Sequence, residues 1–225
     1  MKELIVLNHP KSPVAEAYRA IRTNIKFANV DQNITTMMVT SATAGEGKTT
    51  TLCNIAMTFV ANGSKVLIVD CDLRKPRVHK FFEISNAKGV TDVLLNQEPY
   101  QEYVQQVVDG QLHVLTAGAI ANSPSELLSS NAMKNLLEQL RSDYDYIFFD
   151  TPPVLPVTDA VILGTMIDGA LLVCNSGVVK KHLAAAAKDK LLNVGTKLMG
   201  VVLNKIPMKG DKYHYYYYYA DKEGV

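Results

Sequence analysis

The 225-residue chain has no excess of charge of either sign, since 23 lysines and arginines face 22 aspartates and glutamates. Proteins that coat nucleic acid need a basic surface to neutralise phosphates, so no nucleic-acid partner is expected. Cysteine is also scarce. Cys53, Cys71 and Cys174 are far apart, lie in apolar contexts and form no CxxC pair. We therefore predict reduced, buried thiols in a cytosolic protein.

Long apolar runs are missing as well. No uninterrupted run approaches the ~18 residues of a membrane span. The short apolar piece near the N-terminus is broken by Asn8 and Pro10, so it does not predict a signal peptide. We expect a cytoplasmic chain that reaches the inner face of a membrane only through a partner.

The sequence does contain apolar, strand-like runs that alternate with helical stretches, and 48% of its residues are apolar. Predicted strands are Thr35–Ser41, Lys65–Asp72, Leu112–Gly118, Asp145–Asp150, Gly169–Asn175 and Lys197–Asn204. Predicted helices include Gly47–Gly63, Lys180–Val194 and Ser123–Asp143, the last with a capping box formed by Ser123 and Glu126. Continuous apolar strands are typical of a parallel sheet covered on both faces. The pattern predicts a three-layer α/β domain over residues 1–207, with ligands at the carboxyl ends of the strands.

The segment ATAGEGKTT, residues 42–50, joins a predicted strand to a predicted helix. Gly45 and Gly47 permit a loop whose N–H groups surround phosphate oxygens at a helix N-terminus. Lys48 would reach the β- and γ-phosphates, and the Thr49 hydroxyl would bind Mg²⁺. The strict motif begins with Gly, where this chain has Ala42. The predicted nucleotide-binding residues here are Thr43, Ala44, Gly45, Glu46, Gly47, Lys48, Thr49 and Thr50.

Two further strands end in acid: VLIVDCD ends with Asp70 and Asp72, and YIFFD ends with Asp150. The i, i+2 spacing would place Asp70 and Asp72 on one face of an extended segment. Carboxylates at this edge can hold Mg²⁺ and neutralise charge on a transferred phosphoryl group. The motifs together predict a Mg-nucleotide hydrolase or transferase. A basic segment follows, and it either holds phosphate or an acidic partner or is a plain solvated loop; its cations are Arg74, Lys75, Arg77 and Lys80.

Together, ATAGEGKTT, VLIVDCDLR and IFFDTPP resemble the Walker A, A′ and B motifs of the bacterial protein-tyrosine kinases. The resemblance implies a P-loop fold, ATP and Mg²⁺ as cofactors, and catalysis by Lys48 and the three acids. It implies Asp70 as the base and Asp72 and Asp150 at the metal, although the sequence alone allows Asp70 and Asp72 to exchange roles. By the same resemblance, Asn204 contacts the adenine base.

The resemblance extends to both ends of the chain. In SPVAEAYRAIRTNIKF, the residues Glu16, Arg19 and Arg22 are similar to the family pattern that contacts the neighbouring subunit of a ring. The last 18 residues, 208–225, form a predicted flexible tail with a tyrosine cluster. Predicted phosphate acceptors are Tyr213, Tyr215, Tyr216, Tyr217, Tyr218 and Tyr219. The resemblance implies autophosphorylation, which we expect to occur in trans within a ring. A terminal edge strand is the alternative for this tail.

The resemblance is to the split, cytoplasmic form of Gram-positive bacteria. It implies regulation of capsule or exopolysaccharide production, activation by the cytosolic tail of a membrane adaptor, and a phosphotyrosine phosphatase as a further partner. The alternative function is a ParA/MinD-like, nucleotide-switched ATPase that positions partner proteins. Those ATPases carry an extra lysine near the start of the phosphate loop, where this chain has residues 42–44 without one.

Overall fold

A seven-stranded sheet forms the centre of the part of the chain that the computed structural model describes, namely residues 1, 3–28, 34–108, 110 and 112–207. Its strands are β1 Thr36–Ser41, β2 Val66–Asp70, β3 Gln105–Val107, β4 Leu112–Leu115, β5 Tyr146–Asp150, β6 Gly169–Asn175 and β7 Leu198–Asn204. They lie in the order β3-β4-β2-β5-β1-β6-β7. All neighbours are parallel except β3, which is antiparallel to β4, so the predicted mainly parallel sheet is confirmed.

Helices cover both faces of this sheet. They are α1 Ile5–Asn8, α2 Pro13–Ala28, α3 Lys48–Val60, α4 Val78–Phe82, α5 Val90–Asn96, α6 Pro124–Ser129, α7 Asn131–Asp143, α8 Asp159–Gly164 and α9 Lys181–Leu192, with a 3-10 turn at Tyr100–Glu102. Successive β5 residues show the layering: Phe148 lies in the same apolar core as Phe59 of α3, and Phe149 in the same core as Leu140 of α7. Because strand side chains alternate between faces, the three-layer α/β prediction is confirmed. No helix in the described ranges has the length and hydropathy of a membrane span.

The six predicted strands all form, as β1, β2 and β4–β7, whereas β3 was not predicted. With only Gln105–Val107, β3 is too short to show periodicity. The expectation of cover on both faces holds for β1 and β2, which are buried throughout, and for β5, which is buried except at Tyr146, but it is wrong for β7. β7 is the last strand of the sheet, and Val201 and Leu203 remain 51% and 60% exposed. The three cysteines are free and buried, as predicted.

The predicted helix Ser123–Asp143 is two helices, so that prediction is corrected. α6 ends at Ser129, and Ser130 adopts an extended conformation with φ −70° and ψ 159°. The Ser130 hydroxyl accepts a hydrogen bond from the Met133 N–H at 3.2 Å and caps α7. Ser123 is the N-cap residue of α6 and Pro124 its first residue, as predicted, but Ser123 makes no side-chain capping bond, so the predicted capping box does not form.

A partly buried ion pair joins α7 to the amino-terminal ends of the central strands. The Asp168 carboxylate accepts hydrogen bonds from the Thr35 and Thr36 N–H groups at 2.9 and 2.8 Å. Both terminal nitrogens of Arg141 donate to the same carboxylate, at 2.8 and 2.7 Å. Burial raises the pKa of Asp168, but the bonds from Arg141 and the two N–H groups outweigh burial and hold the pKa below its usual value.

Replacement of this carboxylate, Asp168→Asn, should lower the free energy of unfolding by about 2 kcal/mol at neutral pH. The folded pKa lies below the unfolded value of about 4, so the contribution is complete above that pH and is lost as the pH falls towards the folded pKa. Urea titrations of both proteins between about pH 7 and pH 3 measure this. Asp189→Asn, an exposed carboxylate of α9, is the matched control and should change stability little. A wild-type advantage that did not shrink in acid would contradict the ionic origin.

Candidate active site

The predicted phosphate loop lies between β1 and α3, at the carboxyl edge of the sheet. Gly45 and Gly47 both adopt left-handed backbone conformations, with φ of +81° and +92°, which side chains disfavour. α3 begins immediately after the loop, at Lys48, and is 13 residues long. Its N-terminus therefore adds a partial positive charge beside the loop. The strand–loop–helix context that the motif requires is present.

Lys48 lies at the centre of the acidic groups. Its Nζ atom is 3.0 Å from Asp72 Oδ2 and 3.8 Å from Asp150 Oδ1. Burial lowers the pKa of Lys48, but the charges of Asp150 and Asp72 outweigh burial and leave the pKa raised. The side chain is therefore a protonated cation held between two carboxylates. Next to it, the Thr49 hydroxyl donates to Asp150 Oδ2 at 2.6 Å.

Asp70 and Asp72 occupy different environments. β2 ends at Asp70, two residues earlier than predicted. The Asp72 N–H donates to Asp70 Oδ1 at 3.1 Å, so the segment turns here and is not extended as the spacing argument assumed. Asp70 Oδ2 accepts from the Arg77 and Val78 N–H groups at 3.1 and 3.0 Å, and its side chain is fully buried. Burial, followed by the charge of Asp150, raises the pKa of Asp70 to about 8. Asp72 borders the cleft instead.

Oxygen atoms suited to Mg²⁺ meet at this point. Asp150 Oδ1 is buried without a hydrogen-bond partner in the described part of the chain. The Thr49 hydroxyl bonds to the other oxygen of Asp150, and Lys48 Nζ lies near both Asp150 and Asp72. Among the described residues no cluster of three or more His, Cys, Asp or Glu side chains has a metal-binding arrangement. Mg²⁺ in nucleotide sites usually takes one or two carboxylates together with phosphate oxygens and water, so the residues present fit the predicted ion.

The cleft beside the loop has a volume of about 600 Å³. One side carries the charged groups, and the other is a wall that follows β5, with three prolines and Val157. The lining residues are Ala44, Gly45, Gly47, Lys48, Thr49, Thr50, Asp72, Arg74, Lys75, Arg77, Pro152, Pro153, Pro156 and Val157. Six of the eight predicted loop residues thus face the cleft, while Thr43 and Glu46 bond to each other beneath the loop, with Glu46 Oε1 accepting from the Thr43 N–H at 2.6 Å.

An ion pair at the rim of the cleft was not predicted from the sequence. Arg74 donates from Nε to Asp159 Oδ2 at 2.7 Å and from Nη2 to Asp159 Oδ1 at 3.0 Å. The Ser125 hydroxyl also donates to Asp159 Oδ1, at 2.8 Å. Asp159 is fully buried, so its charge needs these partners. Arg74 therefore joins the basic segment to α8. The side chains of Lys75 and Arg77, the other cations of this segment that line the cleft, form no hydrogen bond to a carboxylate among the described residues.

The remaining predicted residues lie away from the cleft. The Asn204 side chain donates to the Glu46 carbonyl at 3.0 Å, and its contact with adenine stays a prediction. On α2, Arg19 donates to Glu16 at 2.7 Å and to the Pro10 carbonyl, and Arg22 donates to the Thr58 carbonyl at 2.7 Å. All three side chains of the expected ring contact thus have partners or neighbours within the protomer. The six acceptor tyrosines and the whole 208–225 segment lie outside the described residues.

The fold alone is shared with ATPases of the alternative class. The septum site-determining protein MinD of Pyrococcus horikoshii, complexed with Mg-ADP, superposes with a TM-score of 0.64 at 21% identity, covering 76% of this chain and 70% of MinD. At that identity the likeness shows the fold alone.

Closer likenesses distinguish the two classes. The family described as AAA domain matches residues 34–193. The tyrosine-protein kinase YwqD of Bacillus subtilis (strain 168) is 46% identical over 222 residues, covering 99% of this chain and 93% of YwqD. CapB of Staphylococcus aureus is 36% identical over 218 residues, covering 97% of this chain and 96% of CapB. The crystal structure of the chimerical protein CapA2B2 has a TM-score of 0.89 at 39% identity and covers 92% of each chain. This chain belongs to the bacterial tyrosine-protein kinases.

Proposed function

We propose that this kinase transfers the γ-phosphoryl group of ATP to the tyrosines of its own C-terminal segment and thereby regulates capsule or exopolysaccharide production. The observation that carries the proposal is the convergence of Lys48, Asp72 and Asp150 on the phosphate loop, in a chain that ends with a run of tyrosines. The ParA/MinD-like switch lacks support of this kind, because it assigns no chemistry to that run.

The nucleotide phosphates lie along the loop N–H groups, and Lys48 exchanges its carboxylate partners for the β- and γ-phosphate oxygens. Thr49 and Asp150 would hold Mg²⁺, which would neutralise charge on the phosphate oxygens when bound. A tyrosine hydroxyl forms a new O–P bond with the γ-phosphorus while the bond from that phosphorus to the β–γ bridging oxygen breaks. ADP leaves with the bond electrons.

The phenol proton needs an acceptor, because a tyrosine with a pKa near ~10 is protonated at neutral pH. Asp72 borders the cleft, where its Oδ2 accepts from Lys48 Nζ and its Oδ1 from the Lys75 N–H, whereas the Asp70 side chain is fully buried and does not line the cleft. Asp72 is therefore the better placed acceptor in this conformation. The family resemblance favours Asp70 instead, and that role would require the backbone around Val78 to move.

Transfer in trans within a ring is the arrangement that we favour. Glu16, Arg19 and Arg22 follow one another at three-residue steps along α2, so they lie on one stripe of the helix. Arg19 and Arg22 now bond to carbonyl groups of their own chain. A neighbouring subunit with carboxylates can replace those neutral acceptors by stronger charge-assisted bonds. Several phosphotyrosines, each with a charge of roughly −1.5 to −2, would then repel the acidic site and loosen the ring.

A mixing experiment tests acceptor, enzyme and arrangement together. One chain keeps its active site but has the six acceptor tyrosines replaced by phenylalanine; the other carries Lys48→Met and keeps its tail. With γ-labelled ATP we expect label on the tail peptide of the Lys48→Met chain, located by mass spectrometry. Introducing Arg19→Ala and Arg22→Ala into both chains should reduce both the oligomer size and this labelling.

Three other outcomes contradict different parts of the proposal. If the wild type labels its own tail but a Lys48→Met chain mixed with it stays unlabelled, transfer occurs only within one chain. Label confined to residues outside the tail would exclude the tail as acceptor. Phosphate release with no labelled protein would favour the nucleotide-switched ATPase. Each mixture is measured alone and with the cytosolic tail of an adaptor, so that an inactive isolated chain is not mistaken for an ATPase.

The proposed partners are a membrane adaptor, a second copy of the chain and a phosphotyrosine phosphatase. The adaptor's cytosolic tail would recruit this chain to the inner face of the membrane. Support comes from the similarity to CapA2B2, which is described as a chimerical protein, and from the relatives called CapB and CpsD. The phosphatase follows from the chemistry, because a regulatory phosphotyrosine needs a reaction that removes it.

A further inference from the structure

Side chains outside the cleft hold the carbonyl groups of the phosphate loop. Lys205 Nζ donates to the Gly45 carbonyl at 3.1 Å, and Asn204 Nδ2 donates to the Glu46 carbonyl at 3.0 Å. Both donors stand at the end of β7, two strands away from β1. No sequence motif gives Lys205 a role, and the family resemblance implies that Asn204 contacts the adenine base. Their bonds to the loop backbone indicate a different task.

The direction of a carbonyl group determines the direction of the next N–H group. A trans peptide is planar, so its C=O and N–H bonds point in opposite directions, and no cis peptide occurs in the described chain. With the Gly45 and Glu46 carbonyls directed at β7, the N–H groups of Glu46 and Gly47 point away from β7. These are the N–H groups that a phosphate loop presents to its ligand.

The Asn204 amide is itself fixed at both ends. The Lys205 N–H donates to Asn204 Oδ1 at 2.8 Å, which leaves Nδ2 directed at the Glu46 carbonyl. A Cβ atom added to Gly47 would lie 2.1 Å from Asn204 Nδ2. The amide therefore rests directly against the loop glycine. Lys205 adopts φ +55°, an uncommon conformation for a residue with a side chain. Its N–H then donates to Asn204 Oδ1 while its Nζ reaches the Gly45 carbonyl.

We propose that Asn204 and Lys205 are positioning residues that fix the peptide orientation of the phosphate loop from outside the cleft and so set its affinity for polyphosphate. The inference rests on the proposed function only in taking ATP as the ligand. It also differs from the adenine contact expected for Asn204, because a positioning role acts on the phosphates whether or not a base is present.

The test compares two ligands, Mg-ATP and inorganic Mg-tripolyphosphate, which has no base. Isothermal titration, or displacement of a fluorescent ATP analogue, gives the dissociation constants. Asn204→Ala should weaken both ligands by a similar factor, about 10-fold for the loss of one such bond. Asn204→Asp should weaken both further, since a carboxylate oxygen repels the Glu46 carbonyl. Lys205→Met should lower the affinity for both ligands by about 3-fold. Lys205→Arg should bind both ligands with affinity close to that of wild type, because it keeps a cationic donor.

The kinetic signature separates positioning from general damage. In Asn204→Ala the KM for ATP should rise in step with the dissociation constant while kcat stays within about 2-fold. The free energy of unfolding should be close to that of wild type, and Lys181→Met, an exposed lysine of α9, should bind both ligands normally. Loss of ATP affinity with normal tripolyphosphate affinity would overturn the inference in favour of a base contact. Normal affinity for both ligands would overturn it outright.

Failure of this inference and failure of the proposed function are distinguishable. Binding is measured on full-length chains whose six acceptor tyrosines are replaced by phenylalanine, so no transfer to the tail accompanies it. A wild type that binds ATP but labels no tyrosine would remove the proposed autophosphorylation and leave the positioning role standing. Normal binding by the Asn204 and Lys205 variants beside full tail labelling by wild type would do the reverse.

Discussion

Lys48→Met should reduce phosphoryl transfer to tyrosine by at least about 10³-fold, in the range found when a charge-stabilising group is removed from an active site. The lysine is buried between Asp72 and Asp150, where water is scarce and a positive charge interacts strongly with a phosphate. Methionine has a similar length but no charge, so the γ-phosphoryl oxygens lose their cation in the transition state. Initial rates with labelled ATP and a tail peptide measure the effect.

Two controls keep this result interpretable. Loss of Lys48 leaves Asp72 and Asp150 without their shared cation, so the free energy of unfolding must be measured alongside the rate. Lys48→Arg retains the charge and should retain the fold, yet its planar guanidinium does not reproduce the ammonium position, and transfer should remain strongly impaired. Lys181→Met on α9 should transfer normally. A folded Lys48→Met protein with more than a tenth of wild-type activity would contradict the role given to Lys48.

The site residues that the sequence predicted are those whose chemistry is carried by a short segment. Lys48 and Thr49 follow from the loop spacing alone, because a single strand–loop–helix unit carries both of them. Asp150 needs one additional rule, namely that the carboxyl ends of parallel strands meet at one edge of a sheet. The structure places Lys48 within 3.8 Å of that carboxylate, although the two residues are about a hundred positions apart.

The features that were missed depend on contacts between distant segments. Arg74 and Asp159 are 85 residues apart, and neither has a neighbouring sequence signal for the other. The same holds for Lys205, which reaches Gly45 across 160 positions. Asp70 and Asp72 looked equivalent because residues two positions apart lie on one face of an extended backbone. The backbone turns after Asp70, so the two carboxylates lie in different environments. The turn after Asp70 depends on N–H groups at Arg77 and Val78, which no local pattern predicts.

Asp72→Asn should lower kcat for tail phosphorylation by about 10²-fold or more, the range for loss of a proton acceptor. The substitution keeps the shape of the side chain and its position beside Lys48, 3.0 Å away. Because Asp72 acts as the proton acceptor and not as a ligand of the nucleotide, the affinity for Mg-ATP should change by less than about 3-fold. The pH dependence of kcat and the Mg²⁺ concentration at half-maximal rate are recorded for the same protein, because a lost metal ligand would raise that concentration and a lost base would not.

Asp70→Asn is the matched comparison, and it should act mainly on stability. The Asp70 carboxylate accepts three N–H bonds from the turn that follows β2. An asparagine relieves the unfavourable buried charge that raises the pKa of Asp70, but it offers one oxygen and directs an NH₂ group at N–H donors, so the free energy of unfolding should still fall, by about 1 kcal/mol. Its kcat, measured where the protein is folded, should then exceed that of Asp72→Asn. If Asp70→Asn instead remained stable and lost transfer completely while Asp72→Asn kept it, Asp70 would be the base, and the turn at Val78 would have to open for each tyrosine that enters.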